Sequence, residues 1–199
     1  NFSAYVINGT PAEYHQTTWC SEKTVDFIRA NKDRPWFFSF NCFDPHHPFD
    51  PPAEYLERYD PAKIPLPKTD PAEIVTQTTF QQLDREWAHD NPGEFHSGGM
   101  TEDDHRQVYA AYLAMVELID DGFGRILDVL EESGQAENTF VIFMSDHGEM
   151  LGDHGIYFKG PHFYDSALRV PLVIRWPSGG LREHLRATGL VELLDLVPT

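Results

Sequence analysis

The strongest constraint on the fold of this chain is a single apolar stripe between Glu102 and Glu132. Apolar residues recur there at steps of three and four, which is the spacing of one face of an α-helix. They are Val108, Tyr112, Met115, Ile119, Phe123, Ile126 and Leu130. The pattern predicts one long helix that buries one face and leaves the opposite face in water.

The residues that flank this stripe predict where the helix begins and ends. Thr101 followed by Asp104 is typical of a helix start, and Ser133-Gly134 is typical of a helix end. Gly122 and Gly124 lie inside the stripe, where each costs about 1 kcal/mol relative to alanine. They therefore indicate either a weak point in the helix or a place where another element packs closely against it.

Three short apolar runs predict the strands that accompany this helix. Trp36–Phe40, Thr139–Ser145 and Leu172–Arg175 are rich in β-branched and aromatic residues, as buried strands are. Residues 18–30, which precede Trp36–Phe40, predict a shorter helix. Because helices and strands alternate, we expect an α/β fold in which the three runs are neighbours in one predominantly parallel sheet flanked by helices.

Residues 44–99 differ from the rest of the chain because they are rich in proline and have little periodicity. The prolines of this segment are Pro45, Pro48, Pro51, Pro52, Pro61, Pro65, Pro67, Pro71 and Pro92. A segment of this length is too long for an ordinary connection, so we interpret it as an irregular functional excursion over the sheet edge. For residues 68–99, a mobile surface loop is the alternative.

Composition limits the partners of the chain. Its 199 residues carry a net charge of −17, which opposes binding to nucleic acid and to anionic membranes. No apolar run approaches the ~20 residues that a membrane-spanning helix needs. Cys20 and Cys42 form no disulfide framework, and the start at Asn1 suggests a fragment of a longer protein.

The candidate site begins at the end of the second predicted strand. Phe143–Gly148 is an apolar run that ends in an acid, an imidazole and a glycine. In open α/β sheets, ligands bind beyond the carboxyl ends of strands. Asp146 and His147 there offer two metal ligands on one rigid element, although such a sequence is also compatible with a simple turn.

Several ordered motifs together give this chain a family resemblance. They are Pro45–Phe49, Tyr112–Asn138, Ser145–Gly155, Lys159, Arg169–Pro177 and Val191–Thr199. In this order they resemble the later part of the catalytic domain of sulfatases, which belong to the alkaline phosphatase superfamily. The resemblance covers most of the chain except residues 68–99, so we interpret residues 1–199 as part of one such domain.

The resemblance implies a role for four residues. Asp146 and His147 align with two ligands of the divalent cation of sulfatases, for which calcium is the first expectation and manganese, magnesium or zinc the alternatives. Lys159 aligns with the lysine that holds a sulfate oxygen, and His46 with the histidine near the leaving oxygen. A lysine, an imidazole and a cation are the groups that stabilise charge on a transferring anion. No role transfers to the other histidines at 47, 154 and 162.

The chain departs from the family pattern in two ways. Many sulfatases have asparagine at the position of His147, whereas phosphonate monoester hydrolases and choline-sulfatase-like members are closer to the Asp-His pair. Sulfatases also use a cysteine converted to formylglycine, in a Cys-x-Pro/Ala-Ser/Thr-x-Arg motif. Neither Cys20 nor Cys42 fits that motif. We therefore expect the nucleophile and two further metal ligands to lie before Asn1.

Three functional hypotheses remain from the sequence. The first is a sulfuric ester hydrolase acting, as a complete protein, on a small-molecule or carbohydrate sulfate ester. The second is a phosphonate monoester hydrolase or phosphodiesterase of the same superfamily. The third is a non-catalytic, acidic binding module that keeps the fold. Under each hypothesis we expect the isolated chain to be inactive, with no nucleic acid or membrane as partner.

Overall fold

The computed structural model describes residues 3–90, 95, 97–181 and 184–198. Within this part of the chain the helices are α1 Gln16–Ala30, α2 Ala53–Leu56, α3 Pro71–Ile74, α4 Thr79–Asp90, α5 Glu102–Glu132 and α6 Asp165–Leu168. The strands are β1 Val141–Met144, before α6, and β2 Leu172–Arg175, after it. Short 3₁₀ helices lie at Ala12–Tyr14, Pro61–Lys63, Ser97–Gly99, Ala136–Asn138, Asp153–Gly155, Pro177–Gly179 and Leu193–Asp195. None of the described helices is both long and apolar enough to cross a membrane.

Helix α5 begins and ends where the sequence predicts. The backbone N–H of Asp104 donates to the Thr101 hydroxyl at 3.2 Å, and the backbone N–H of Thr101 donates to the Asp104 carboxylate at 2.8 Å. This reciprocal capping box satisfies two amides that the first turn leaves without helical partners. At the other end Gly134 has a φ of 71°, the left-handed conformation in which glycine commonly ends helices.

Helix α1 packs along α5, and small side chains allow the two helices to approach closely. Ser21 of α1 lies against Gly122 of α5, where a β-carbon would come within 2.3 Å of the serine Oγ. Ile28 of α1 packs into a buried cluster with Ile126 and Leu130 of α5. Gly122 therefore marks close packing, whereas a β-carbon on Gly124 would meet nothing within 4 Å.

The sheet of the described residues has two strands, and their orientation corrects the prediction of parallel neighbours. Strands β1 and β2 pair antiparallel, with Val141 opposite Arg175 and Met144 opposite Leu172. Because the end of β1 faces the start of β2, residues 145–171 leave and re-enter the sheet at the same end. Composition predicted both strands but not their direction, since the apolar and β-branched residues of a short run do not specify whether its partner is parallel or antiparallel. Neither strand is fully buried, as strands of a covered parallel sheet would be.

The run Trp36–Phe40 is not a strand in the structure, so the prediction of a third neighbouring strand is wrong for the described residues. Trp36 and Phe40 instead pack against the cluster formed by the ends of α1 and α5. The Trp36 indole N–H also donates to the Gln135 side chain at 2.8 Å. The run is not buried as a whole, because Phe37 and Phe38 are exposed and only Trp36 and Phe40 pack against this cluster.

The first half of α5 supports the two segments that reach the candidate site. Val108, Ala111 and Met115 of α5 form one buried cluster with Phe49 and Tyr157. Phe49 follows the histidine pair at positions 46 and 47, and Tyr157 precedes Lys159 by two residues. The same apolar stripe that forms the helix therefore places both loops on one side of the molecule.

The contrast between the two glycines of α5 can be tested by stability. We expect Gly124→Ala to stabilise the protein by about 0.5–1 kcal/mol, because it lowers the entropy of the unfolded chain without a new contact. Gly122→Ala should be destabilising, by about 1–3 kcal/mol, because its methyl group meets buried Ser21. Urea unfolding of the two variants measures the difference. Equal effects of the two alanines would contradict the close packing of α1 on α5.

Candidate active site

The site is built on the turn that follows β1. The His147 backbone N–H donates to the Asp146 carboxylate at 3.0 Å, and the Ser145 hydroxyl donates to the His147 carbonyl at 2.8 Å. The Nδ1 of His147 lies 2.7 Å from the Gly148 carbonyl, which can only accept, so Nδ1 carries the proton. The lone pair of the neutral imidazole is therefore on Nε2.

Gly148 allows the backbone to pass close to helix α6. Its N–H donates to the Ala167 carbonyl at 2.7 Å, and a β-carbon at this position would lie 1.9 Å from the Ser166 carbonyl oxygen. No side chain larger than hydrogen fits there without moving the backbone. The glycine of the Asp-His-Gly sequence thus holds the turn against the returning chain.

The loop after the turn folds back and brings Lys159 to His147. The Met150 N–H donates to the Phe158 carbonyl at 2.9 Å, and the Gly152 N–H donates to the Ile156 carbonyl at 2.9 Å. The side chains of Met150 and Ile156 anchor this return in a buried cluster. As a result, the Lys159 Nζ lies 2.9 Å from His147 Nε2 and donates to its lone pair.

Asp146 and His147 present two donor atoms suited to one metal ion. The Asp146 Oδ2 lies 3.7 Å from His147 Nε2. Two ligands of one ion, each at about 2.0–2.4 Å, are separated by a similar distance. The spacing of these two atoms fits one divalent cation. In this structure the Nε2 lone pair accepts from Lys159, so a cation would take the place of the lysine ammonium at that nitrogen.

The histidine pair at positions 46 and 47 lies across the same cavity. The two rings stack with centroids 4.1 Å apart, and His47 also contacts the Phe158 ring at 4.1 Å. The His46 Nδ1 donates to the His47 carbonyl at 2.7 Å, so its Nε2 is the nitrogen left for a ligand. Because Phe158 precedes Lys159, this contact joins the segment that carries His46 and His47 to the loop that carries Lys159.

These side chains line a cavity of about 730 Å³. His46, His147 and Lys159 all contribute to its wall, and Asp146 lies beside it with a largely exposed carboxylate. Aromatic side chains form much of the remaining wall, namely Tyr5, Phe43, Phe49, Phe95 and Phe158. Three of the four residues selected from the sequence therefore line one cavity, and Asp146 lies next to His147 with its carboxylate in solvent.

Burial changes the acid–base behaviour of several groups around this cavity. It lowers the pKa of His47 to about 4, with a further contribution from His46 and Lys159, so His47 is neutral near pH 7. It raises the pKa of the Glu149 carboxyl above its usual range. Burial, together with the charge of Asp44, also raises the pKa of the Cys42 thiol to about 11. Cys42 is therefore not an activated nucleophile.

A second group of possible metal ligands consists of His15, Asp44 and Asp50. Their ligand atoms lie within 4.8 Å of one another, and His15 and Asp44 are buried. The Thr17 hydroxyl already donates to the Asp44 Oδ2 at 2.5 Å, and His15 Nδ1 lies 3.5 Å from the same oxygen. We interpret this group as the polar anchor that joins the start of α1 to the loop of His46.

Comparison with known proteins decides the family. A sequence profile described as Sulfatase matches residues 4–199. The chain belongs to the sulfatase family. It is 34% identical over 187 residues to the uncharacterized sulfatase YidJ of Escherichia coli, an alignment that covers 92% of this chain and 35% of that protein. It is 30% identical over 201 residues to an arylsulfatase of Clostridium perfringens, covering 96% and 38% of the two chains.

A solved structure confirms the fold of this sulfatase chain. The phosphonate monoester hydrolase from Silicibacter pomeroyi superposes with a TM-score of 0.77 and 28% identity, over 87% of this chain and 37% of that one. The predicted α/β class and the likeness to an alkaline-phosphatase-like catalytic domain are therefore confirmed. The sulfatase chain spans little more than a third of the length of the relatives that it matches.

Helices α3 and α4 of this sulfatase chain clamp the loop that carries Lys159. Glu73 of α3 contacts His154 Nδ1 at 2.8 Å and accepts from the Tyr164 hydroxyl at 3.1 Å. Asp84 of α4 contacts His162 Nε2 at 2.9 Å. His154 and His162 are thus partners of carboxylates from residues 68–99. No motif in the sequence signals this pairing, because the partners are about 80 residues apart.

The pKa of His47 leads to a prediction about acid stability. The unfolded chain takes up a proton near pH 6.5, whereas folded His47 does so only near pH 4. Stability should therefore fall as the pH is lowered between these values, because the unfolded state binds more protons there. An NMR titration should place this imidazole near pH 4, with His47→Asn identifying its signal and reducing the loss of stability. Titration of His47 near pH 6.5 would contradict its burial.

Proposed function

We propose that the complete protein containing this chain is a sulfuric ester hydrolase. The observation that carries the proposal is the Lys159 ammonium, which lies 2.9 Å from His147 Nε2 in the cavity that His46 also lines. Donors that converge on one cleft stabilise charge on a transferring anion. They do so in a chain of net charge −17, which would otherwise repel an anionic ester.

The residues of the cleft have separate tasks in this proposal. Lys159 donates to an unesterified oxygen of the sulfate group and fixes its orientation. His46 donates from Nε2 to the oxygen that links sulfate to the alcohol when both of its ring nitrogens carry a proton, because its Nδ1–H is already taken by the His47 carbonyl. Neutral His47 packs between His46 and Phe158 and keeps the ring of His46 in place.

Asp146 and His147 would hold the divalent cation. When bound, the cation supplies Lewis acidity that balances negative charge on the ester. Calcium remains the first expectation, and the nitrogen ligand of His147 makes manganese or zinc the alternatives to test, with magnesium less suited to imidazole. A formylglycine, as the resemblance implies, is the expected nucleophile of the complete protein.

A phosphonate monoester hydrolase or phosphodiesterase is the second candidate function. The structural similarity to such a hydrolase and the Asp146-His147 pair favour it. Sulfate esters, phosphonate monoesters and phosphodiesters each carry a single negative charge at neutral pH. One lysine and one cation can therefore balance any of them, and only the rates on matched esters separate the two candidates.

Substitutions in the complete protein test the proposal. We expect turnover of 4-nitrophenyl sulfate to exceed turnover of a nitrophenyl phosphodiester, and Lys159→Ala to lower kcat/KM by about 10²–10³-fold. His147→Ala should lose the cation, which elemental analysis of the purified protein measures. Lys63→Ala and His184→Ala change exposed residues outside the cavity and should have no effect.

The outcomes of these assays separate the three hypotheses. Faster turnover of the phosphodiester or of a phosphonate monoester would favour the second candidate function. A complete protein that holds no cation and hydrolyses neither type of ester would favour the third hypothesis, the non-catalytic binding module.

The isolated chain supplies an independent test. Asp146 and His147 provide two protein ligands, whereas hydrolytic metal sites normally use three or more. We therefore expect the 199-residue chain to bind a divalent cation weakly and to show negligible turnover of an aryl sulfate. Calorimetric titration with calcium and manganese, and a nitrophenyl sulfate assay, measure both. Robust turnover would implicate a nucleophile inside the chain, and Cys42→Ser would show whether it is Cys42.

A further inference from the structure

Helix α4 delivers one carboxylate to the cavity. Asp84 lines the cavity together with Lys159 and Gly160, and about a quarter of its side chain (28%) is exposed. None of the roles proposed above uses Asp84. A carboxylate at this position is unexpected, because it faces a cleft that must hold an anionic group.

The position of Asp84 is set by two neighbours. Its Oδ2 lies 2.9 Å from Nε2 of His162, whose side chain is 5% exposed. The Nε2–H of His162 donates to this oxygen and so fixes the orientation of the carboxylate. Gly160 makes the approach possible, because a β-carbon there would lie 2.8 Å from the same oxygen and 2.6 Å from the His162 ring.

The rest of the wall shows what a carboxylate here can recognise. Lys159 is the residue proposed to bind the sulfate oxygens. We therefore expect Asp84 to face the leaving group of the ester. The aromatic side chains of the cavity offer ring faces, which attract cations as carboxylates do. A positive charge or a hydrogen-bond donor would suit this wall, whereas a carboxylate or second sulfate would be repelled.

We propose that Asp84 is a specificity-determining residue that selects esters with a cationic or hydrogen-bond-donating leaving group and rejects anionic ones. This inference rests on the proposed function, since it assigns the leaving-group side of the same site. It gives part of residues 68–99 a task in substrate selection. It also accounts for buried His162, which orients the carboxylate towards the cavity.

Three aryl sulfates that differ in charge test this selection in the complete protein. They are 4-nitrophenyl sulfate, 3-(trimethylammonio)phenyl sulfate and 3-carboxyphenyl sulfate. In Asp84→Asn we expect the ratio of kcat/KM for the cationic over the anionic ester to fall about tenfold, the effect of one partly screened charge. The chemical reactivity of the esters cancels when this ratio is compared between variant and wild type.

Two further variants separate the effect of the Asp84 charge from other effects of the substitution. Asp84→Ser removes the same charge with a different shape and should lower the ratio similarly. Asp165→Asn removes an exposed carboxylate that pairs with Arg169 outside the cavity, and should leave the ratio unchanged. An equal loss of kcat/KM on all three esters in the Asp84 variants would show a structural role only and would overturn the inference.

Failure of the proposed function gives a different result. If the wild-type protein does not hydrolyse 4-nitrophenyl sulfate, the sulfatase assignment fails. The three phenylphosphonates of the same phenols then measure the preference for the charge of the leaving group. If Asp84→Asn lowers the ratio of kcat/KM for the cationic over the anionic phosphonate about tenfold, the role of Asp84 is supported whichever group is transferred. An unchanged ratio, or no turnover of either series, would overturn it.

Discussion

The site depends on the way in which the chain returns to the sheet after β1. Because Met144 faces Leu172 across the antiparallel pair, residues 145–171 must begin and end at the same edge. Backbone hydrogen bonds from Met150 to Phe158 and from Gly152 to Ile156 then fold this segment back on itself. This return, and not proximity in sequence, places the ammonium of Lys159 on the imidazole of His147, twelve residues earlier.

Residues 68–99 stabilise this returning loop from outside. Imidazole–carboxylate pairs link His154 to Glu73 and His162 to Asp84, and the Gln77 side-chain amide donates to the His154 carbonyl at 2.7 Å. Each pair joins a short helix of the proline-rich segment to the loop that carries Lys159. A segment without a family motif thereby supports the site and supplies one of its walls.

The electrostatics of the cleft contrast with those of the whole chain. An overall charge of −17 repels anions, yet the cleft presents the Lys159 ammonium, the Nε2 of His46 and the proposed cation site at Asp146 and His147. Burial keeps His47 neutral near pH 7 and raises the pKa of the Glu149 carboxyl above its usual range. Screening confines the effect of distant surface carboxylates, so the net charge of the chain does not oppose the singly charged ester that we propose as substrate.

Local patterns determined a large part of this protein. The stripe between Glu102 and Glu132, its caps and both strands could be predicted because period and capping depend on near neighbours in sequence. Asp146, His147, Lys159 and His46 could be selected from their motifs, and their roles remain predictions. The tertiary structure alone decided the antiparallel pairing, the packing of Trp36 on α5 without a strand, and the pairs that hold Asp84 and Glu73. These depend on the path of the backbone and on contacts between residues far apart in sequence, and no local pattern records either.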